Sequence, residues 1–273
     1  MDKRRFGLIG VGVMGGAMLS AALQTGFLNA RDVIVYDKTA AQRARAAAEF
    51  GVHIASSAGE VARYAEIVQL SVKPQDYPAL LAAIDADLAR ERPLVLSIAA
   101  GLTLAKTAGM LPQSGADVSL VRMMQNINAT VGESMTAYCP NGKVSPDAFA
   151  VVEKYCRCFG RVLRLEEQYF SAFLALAGSA PAFVYLFMDE LARAGVACGL
   201  QKATALEIAV QTVLGSAKLL QSSEKHPQAL IDQVCSPAGT TVAGMEALHE
   251  YGFTNAVHQA VKAAYARDKA LGA

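Results

Sequence analysis

Hydrophobic and polar positions follow two different patterns along the chain, and the change comes near residue 165. Before that point, short apolar runs alternate with Ala-rich stretches of helical periodicity, which is typical of a doubly wound parallel sheet. The predicted strands are Phe6–Ile9, Val33–Tyr36, Ile67–Val72, Leu94–Ile98, Ser119–Met123 and Met135–Tyr138. Predicted helices between them include Ala40–Phe50 and Tyr77–Arg90.

After residue 165 the strand-like runs end and apolar residues recur at helical spacing. One helical face is formed by Leu206, Val210, Val213, Leu214, Ala217 and Leu220. The run Ala182–Met188 is apolar on all sides, so its helix must be covered all round. A second subunit would supply that cover, and the alternative is a central helix in a self-contained bundle. The pattern predicts an α/β fold, with an N-terminal Rossmann-type doubly wound sheet (1–165) followed by an all-helical C-terminal dimerisation domain (166–273).

A glycine-spaced turn, Gly10-Val11-Gly12-Val13-Met14-Gly15, follows the first predicted strand. Gly10 permits a sharp turn, Gly12 leaves no side chain between the backbone and a phosphate, and Gly15 lets the next helix pack closely. That helix directs free N–H groups and its positive dipole end at an anion. Asp37 ends the second strand, where an acid can bind an adenosine ribose. The unit predicts a dinucleotide site, and the alternative is a ligand-free glycine turn.

Composition narrows the classes of partner. Hydrophobic residues make up 53% of the chain and charged ones 18%, with a net charge of +1. This leaves no basic surplus for nucleic acid. The dense apolar run Ala182–Met188 is shorter than a membrane span of about 20 residues. The basic start of the chain leads into the glycine turn and not into an apolar segment. We therefore expect no nucleic-acid or membrane partner and a cytoplasmic location. We also expect that the cysteine thiols are reduced and that there is no metal site.

Several segments together resemble pyrroline-5-carboxylate reductase, the last enzyme of proline biosynthesis. In family order and spacing they are Ser71-Val72-Lys73-Pro74, Ser97-Ile98-Ala99-Ala100-Gly101, Gly178-Ser179-Ala180-Pro181-Ala182 and Cys235-Ser236-Pro237-Ala238-Gly239-Thr240-Thr241. The resemblance covers nearly the whole chain. It implies hydride transfer from NADPH or NADH to the cyclic C=N of L-1-pyrroline-5-carboxylate, giving L-proline. It also implies a homodimer or an assembly of dimers.

The last of these segments, which ends with Ser236–Thr241, also has a physical interpretation that does not depend on the family. Ser236 suits an N-cap and Pro237 the first helical turn. Ala238 and Gly239 are small enough to expose the amides of the turn, and Thr240-Thr241 adds hydroxyl donors. Such a helix start can receive a substrate carboxylate, while an ordinary capped helix is the alternative. Ala238 replaces a glycine of the family motif, so we expect a negative φ there.

The resemblance and the glycine unit together define the candidate site residues. The predicted cofactor-binding residues are Gly10, Val11, Gly12, Val13, Met14, Asp37, Lys38, Ser71, Val72, Lys73, Pro74, Ala99, Ala100 and Asn126. The predicted substrate-binding residues are Ser179, Ser236, Ala238, Gly239, Thr240 and Thr241. Thr241 and Glu224 are the predicted catalytic residues. A threonine hydroxyl is a poor acid, so we assign Thr241 orientation and hydrogen-bond donation. Glu224 as a solvated charge and Lys73 as a surface lysine are the alternatives.

Two local features leave questions open. The family carries a Met-Pro-Asn-Thr-Pro segment where this chain reads Met124-Gln125-Asn126-Ile127-Asn128, so we expect a less rigid loop around Asn126. Cofactor choice is also open at Asp37-Lys38-Thr39. Asp37 would repel the 2′-phosphate of NADPH, whereas Lys38 and Thr39 would attract it.

Three other functions compete with this interpretation. A related β-hydroxyacid dehydrogenase would use a catalytic lysine at the start of its helical domain, but Leu174–Phe183 contains none. A related imine reductase would share the two-domain layout. A non-catalytic dinucleotide-binding regulator would need no second anion receptor, which the Ser236–Thr241 run provides.

Overall fold

One mostly parallel sheet organises the first part of the chain in a computed structural model, which describes residues 4–272. The 8-stranded sheet has the order β3-β2-β1-β4-β5-β6-β7-β8, and among these neighbours β6 and β7 are antiparallel. The strands are β1 (Arg4–Ile9), β2 (Val33–Tyr36), β3 (His53–Ile54), β4 (Ala65–Leu70), β5 (Leu94–Ser97), β6 (Ser119–Met124), β7 (Ser134–Pro140) and β8 (Gly160–Arg164). The strand order reverses between β1 and β4, which is where open α/β sheets bind ligands.

Helices connect these strands and form the regular structure that is described after β8. The helices are α1 (Val13–Gln24), α2 (Ala40–Phe50), α3 (Ala58–Tyr64), α4 (Tyr77–Glu91), α5 (Leu104–Gly109), α6 (Pro146–Arg157), α7 (Phe170–Phe173), α8 (Ala180–Ala197), α9 (Lys202–Ser222), α10 (Pro227–Val234), α11 (Thr240–Glu250) and α12 (Phe253–Gly272). A π-helix, Leu174–Ser179, lies between α7 and α8 in the chain. The α/β architecture with a helical C-terminal part confirms the predicted fold class.

The core lies on both faces of the sheet because alternate strand residues point to opposite sides. Phe6 and Leu8 of β1 belong to one buried cluster, which contains Met18 of α1 and Tyr155 of α6. Ile9 belongs to the other cluster, which is covered by α3 and α4. Coverage on both faces explains why the parallel strands read as nearly continuous apolar runs.

All of the predicted strands are present, and two further strands were not predicted. β3 (His53–Ile54) has 2 residues, and β8 is a largely exposed edge strand, so neither has a strong apolar pattern. β4 ends at Leu70, earlier than predicted. Ser71 and Val72 consequently lie in the loop at the carboxyl edge of the sheet, next to the glycine turn.

A buried polar chain links the core to this edge. The Tyr155 hydroxyl donates to Gln69 Oε1 at 2.6 Å, and Gln69 Nε2 donates to Ser71 Oγ at 2.7 Å. Tyr155 and Gln69 are both buried. Buried polar groups cost free energy unless they are paired. This series of hydrogen bonds therefore holds Ser71 in one position.

The ends of β4 and β5 are joined by Tyr77 in a similar way. Its hydroxyl donates to Leu70 O at 3.1 Å and lies 3.0 Å from Ser97 Oγ. Burial raises the pKa of Tyr77 to about 12, so the phenol stays protonated at neutral pH. Two loops of the candidate site, after Leu70 and after Ser97, therefore start from a common anchor.

By compactness the chain forms two units. One comprises the chain up to Gly178 together with the part from Tyr265 onward, and the other is Ser179–Ala264. The predicted domain boundary after residue 165 lies just past the last strand, whereas the first compact unit continues through the π-helix. The division into 1–165 and 166–273 stays a prediction.

The second unit leaves much of its apolar surface uncovered within one chain. Ala192 of α8 packs with Ala205 and Ala209 of α9 in a small buried cluster. Large side chains on the same helices remain exposed, for example Leu186 at 61% and Leu219 at 59%. The expectation that the helix containing Ala182–Met188 must be covered all round is not met inside a single chain, so further cover is required from outside it.

Among the described residues, two helical segments have the length and composition of a membrane span. They are Glu167–Ala197, which contains an 18-residue window of mean hydropathy 1.7, and Lys202–Ser222, which contains one of mean hydropathy 1.2. The unbroken apolar run considered in the sequence is shorter than either segment, so this property was not expected. Core helices of soluble proteins have the same length and hydropathy, and one or two such helices are weak support for a membrane protein.

The Tyr155–Gln69 hydrogen bond leads to a prediction about stability. Tyr155→Phe is expected to lower the free energy of unfolding by about 1–3 kcal/mol, because Gln69 Oε1 would lose its buried donor. Urea denaturation at fixed protein concentration measures the change. Tyr169→Phe is the control, since Tyr169 is 51% exposed, and should change stability by less than about 0.5 kcal/mol. A Tyr155→Phe protein as stable as wild type would contradict a structural role for this bond.

Candidate functional site

The glycine turn packs its backbone directly against Ser71. Gly10 has a φ of +93°, and a Cβ there would lie 2.6 Å from Ser71 O. A Cβ at Gly15 would lie 2.3 Å from Gly10 O. Both distances are below any real Cβ contact, so glycine is required at both positions. The sharp turn and the close helix packing expected from the sequence are present.

The start of α1 faces open space at the edge of the sheet. Gly12 is its N-cap residue, and a Cβ there would meet nothing within 4 Å. The first N–H groups of a helix lack acceptors within the helix and carry the positive end of its dipole. The residues at this helix start therefore fit a diphosphate approaching over Gly12.

Asp37 is turned towards the glycine turn. Its Oδ2 accepts from Val11 N at 2.9 Å, and its Oδ1 accepts from Thr39 N at 2.9 Å. The Val11 side chain is buried in the core, and its amide is committed to Asp37. Val11 therefore offers no free N–H to a phosphate.

Cations stand beside Asp37 at the end of β2. Lys38 Nζ lies 3.0 Å from both carboxylate oxygens of Asp76. Arg43 Nη1 donates to Asp37 O at 2.6 Å, and its guanidinium lies 5.7 Å from the ring centre of Tyr36. The end of β2 thus combines one carboxylate that accepts from backbone amides with two nearby positive charges.

A cavity of about 1010 Å³ brings most of the predicted cofactor residues together. The predicted residues that line it are Gly10, Gly12, Val13, Met14, Asp37, Lys38, Ser71, Val72, Lys73, Pro74, Ala99 and Ala100. Val11 and Asn126 are not among its lining residues. The cavity runs along the carboxyl edge from β2 to the loops after β5 and β6. This volume and this set of loops fit a dinucleotide.

Other lining residues were missed by the sequence reasoning. They include Ser57, Gly59, Arg63, Asp76, Leu80 and Gln125. The pattern Ser57-x-x-Glu60 is a capping box that would have located the start of α3 at this edge. Glu60 N donates to Ser57 Oγ at 3.1 Å, and Ser56 N donates to Glu60 Oε2 at 2.7 Å.

Asn126 fixes the loop after β6 through its side chain. Nδ2 donates to Ala177 O of the π-helix at 3.0 Å, and Oδ1 accepts from Asn128 N at 3.2 Å. Its own N–H donates to Ser134 Oγ at 3.2 Å. Hydrogen bonds therefore hold this loop where the family motif has prolines, and they place the neighbouring Gln125 in the cavity wall.

A second anchor holds the loop that follows Ala99 and Ala100. Glu167 Oε1 accepts from Leu104 N at 2.7 Å and from Arg122 Nη1 at 3.0 Å. Arg122 is 4% exposed and its guanidinium lies 4.6 Å from the ring centre of Phe170. This ion pair, in which Arg122 is buried and Glu167 is partly exposed, ties the start of α5 to β6.

The segment Ser236–Thr241 differs from its predicted local structure. The helix α11 starts at Thr240 with Gly239 as N-cap, so the prediction of Ser236 as N-cap and Pro237 as helical is wrong. A hydrogen bond of 2.9 Å from Gly239 N to Ser236 O closes a turn ahead of the helix.

The expected negative φ at Ala238 is also wrong, because φ is +57°. Pro237 and Ala238 are the central residues of the turn, and a turn with proline first often needs a positive φ at its second central position. Glycine adopts this conformation without strain, whereas in alanine the Cβ atom crowds the backbone and raises the free energy of the turn. Thr240 and Thr241 remain in the first turn of α11, where helix amides are free.

Ser179 and Glu224 belong to the same compact unit as this motif. Ser179 is the N-cap residue of α8, and Pro181 lies in the first turn. Glu224 is exposed in the loop between α9 and α10. Across residues 4–272, no group of three or more His, Cys, Asp or Glu side chains is arranged to hold a metal ion.

Comparison with known proteins relates both parts of the chain to one family. Residues 167–271 match the family model for pyrroline-5-carboxylate reductase dimerisation, and residues 5–101 match that for coenzyme F420-dependent NADP oxidoreductase. The pyrroline-5-carboxylate reductase of Synechocystis is 37% identical, with 98% of each chain covered. That of Escherichia coli is 38% identical, with 95% of each chain covered.

The fold is also similar to that of a solved structure. The crystal structure of Plasmodium falciparum pyrroline carboxylate reductase with NADP bound superposes with a TM-score of 0.88, at 28% identity and with 100% of both chains covered. The similarity therefore spans the sheet and the helical part alike.

The strained turn at Ala238 leads to a stability prediction. Ala238→Gly is expected to raise the free energy of unfolding by about 1 kcal/mol, because the Cβ penalty at positive φ disappears. Ala243→Gly in the interior of α11 is the matched control and should lower stability by about 0.5–1 kcal/mol. Urea denaturation of the two variants at one protein concentration measures both changes. Destabilisation by Ala238→Gly would show that the turn is not strained.

Proposed function

The chain belongs to the pyrroline-5-carboxylate reductase family, and we propose that it reduces L-1-pyrroline-5-carboxylate to L-proline with NADPH or NADH. This reaction is the last step of proline biosynthesis. The observation that carries the proposal is the presence of two anion-receiving helix starts in one chain, at Gly12 and at Gly239. One suits a diphosphate and the other a small carboxylate.

The cofactor supplies a hydride from its reduced nicotinamide when it is bound. We assign the diphosphate to the amides at the start of α1 and the adenosine ribose to Asp37 and Lys38. The loops Ser71–Pro74 and Ala99–Ala100 then border the remainder of the dinucleotide, since they line the same cavity. Asn126 acts by holding the loop beside them.

The substrate carboxylate is assigned to the first turn of α11, with Ser236, Ala238, Gly239 and Thr240 around it, and with Ser179 as a further binding residue. Thr241 donates a hydrogen bond to the ring nitrogen and orients the imine. The hydride adds to the C=N carbon of the protonated imine, and the nitrogen keeps its proton as a secondary amine. Because the electrophile can arrive protonated, holding and orienting it are the main tasks of the protein.

Glu224 is the second proposed catalytic residue. A carboxylate close to a protonated imine stabilises its positive charge. Its exposed position in the chain leaves it free to act in this way.

We also propose a homodimer, or an assembly of dimers, in the cytoplasm. The second unit exposes large apolar side chains such as Leu186 and Ile208 at 61% and 50%. Obligate interfaces are rich in such residues, and a second copy of the chain would remove them from water. The same cover accounts for helices that have the hydropathy of membrane spans.

Thr241→Ala tests the substrate assignment. We expect kcat to fall at least tenfold, because the imine loses an orienting donor, while the Kd for NADPH changes less than about twofold. Steady-state kinetics and fluorescence titration of NADPH measure the two quantities. Thr254→Ala, an exposed threonine in α12, is the control and should keep full activity. Full activity in Thr241→Ala would remove this residue from the mechanism, and cofactor binding without turnover in wild type would favour the non-catalytic regulator.

Asp37→Ala tests the ribose end of the cofactor site. Removing this charge should shift the ratio of kcat/KM for NADPH over NADH towards NADPH by roughly tenfold, because the 2′-phosphate is no longer repelled. Lys38→Gln should shift the ratio in the opposite direction. Kinetics of wild type and both variants with each cofactor measure the ratio, and an unchanged ratio in Asp37→Ala would contradict the assignment.

A further inference from the structure

Gln125 presents a buried amide oxygen that has no partner among the described residues. The residue is 8% exposed, and its Oε1 is fully buried without a hydrogen bond. It follows β6 directly and lines the wall of the cofactor cavity. A buried acceptor without a donor costs free energy, so a turn of the side-chain amide that directs Oε1 into the cavity, where a ligand could supply an N–H group, would be favoured.

The position of Gln125 in the sheet identifies which part of a dinucleotide it would meet. The ribose end is at Asp37 after β2, and the diphosphate lies over Gly12 after β1. The sheet continues from β1 through β4 and β5 to β6. A dinucleotide that starts at β2 and crosses β1 therefore directs its nicotinamide towards the loops after β5 and β6, where Ala99 and Gln125 stand.

The chemistry at this end is selective for an amide. The neighbouring cavity residues Met124, Ile98, Ala99 and Ala100 are apolar, so the Gln125 side chain is the polar group among them. Nicotinamide carries one polar substituent, a primary carboxamide with an N–H donor and a carbonyl acceptor. A primary amide on the protein is complementary to it in either orientation of the glutamine.

We propose that Gln125 accepts a hydrogen bond from the carboxamide of the bound nicotinamide and so fixes the orientation of the ring. This inference rests on the proposed function, because it requires a nicotinamide cofactor. The family motif has proline at this position, which offers no side-chain acceptor. The contact is consequently a property of this chain's own Gln125-Asn126-Ile127-Asn128 loop.

The test compares two ligands in the absence of substrate. The first is NADP⁺, and the second is its 3-acetylpyridine analogue, in which a methyl group replaces the carboxamide NH₂. Isothermal titration should show that wild type binds NADP⁺ about five- to tenfold more tightly than the analogue. Gln125→Leu should lose that factor for NADP⁺ and bind the two ligands with equal Kd.

Gln42→Leu is the matched control. Gln42 Oε1 is also buried without a partner, but this residue lies on α2 and is not among those lining the cavity. Both Kd values should stay at their wild-type levels in this variant. Neither leucine variant should be less stable to urea than wild type, since each removes an unpaired buried acceptor.

Three results would overturn the inference. In the first, Gln125→Leu still discriminates between the two ligands as wild type does. In the second, Gln125→Leu keeps wild-type affinity for NADP⁺ but raises KM for pyrroline-5-carboxylate, which would assign the acceptor to the substrate's ring N–H. In the third, wild type binds neither NADP⁺ nor NADPH; this would defeat the proposed function as well, whereas the first two leave it intact.

Discussion

The close approach of the glycine turn to Ser71 is the constraint on which the rest of the structure depends. At Gly10 and Gly15 any side chain would collide with backbone atoms, at 2.6 and 2.3 Å. Because glycine has no side chain, the start of α1 can lie at the crossing point between β1 and β4. Ser71 is held there from the interior by Gln69 and Tyr155. A buried polar chain and two missing side chains together place an anion-binding helix end at the switch point of the sheet.

The charges around that helix end are arranged so that few of them are free. Both carboxylate oxygens of Asp37 accept hydrogen bonds from backbone amides, which makes this residue part of the glycine turn as well as of the proposed ribose site. Lys38 is paired with Asp76, so a cofactor phosphate would have to compete with a carboxylate for it. Hydrogen bonds and an ion pair thus fix the side chains at the proposed adenosine end of the cavity. At the opposite end of the cavity, Gln125 keeps an acceptor unpaired in apolar surroundings, where an amide ligand gains most.

The helical part differs from the sheet because its apolar side chains are only partly buried within one chain. Small residues such as Ala192 and Ala205 let α8 and α9 pack closely, while large apolar side chains on the same helices stay exposed. Helices of this composition are stable in water only when another surface covers them. The match to a dimerisation family model and this exposed surface both support the proposed homodimer.

What the sequence by itself determined was the layout: the strands β1, β2, β4 to β7, the glycine turn, the loops at the sheet edge, and the family. These follow from local patterns of two or three residues whose spacing sets their geometry. Only the tertiary structure decided the conformation of Ser236–Gly239, the inward turn of Asp37 and the unpaired oxygen of Gln125. The sign of φ at Ala238 depends on how the turn closes. The Val11 amide that donates to Asp37 lies 26 residues earlier in the chain, and the lack of a donor for Gln125 Oε1 depends on all the segments packed around it. Neither kind of information is present in a local pattern of residues.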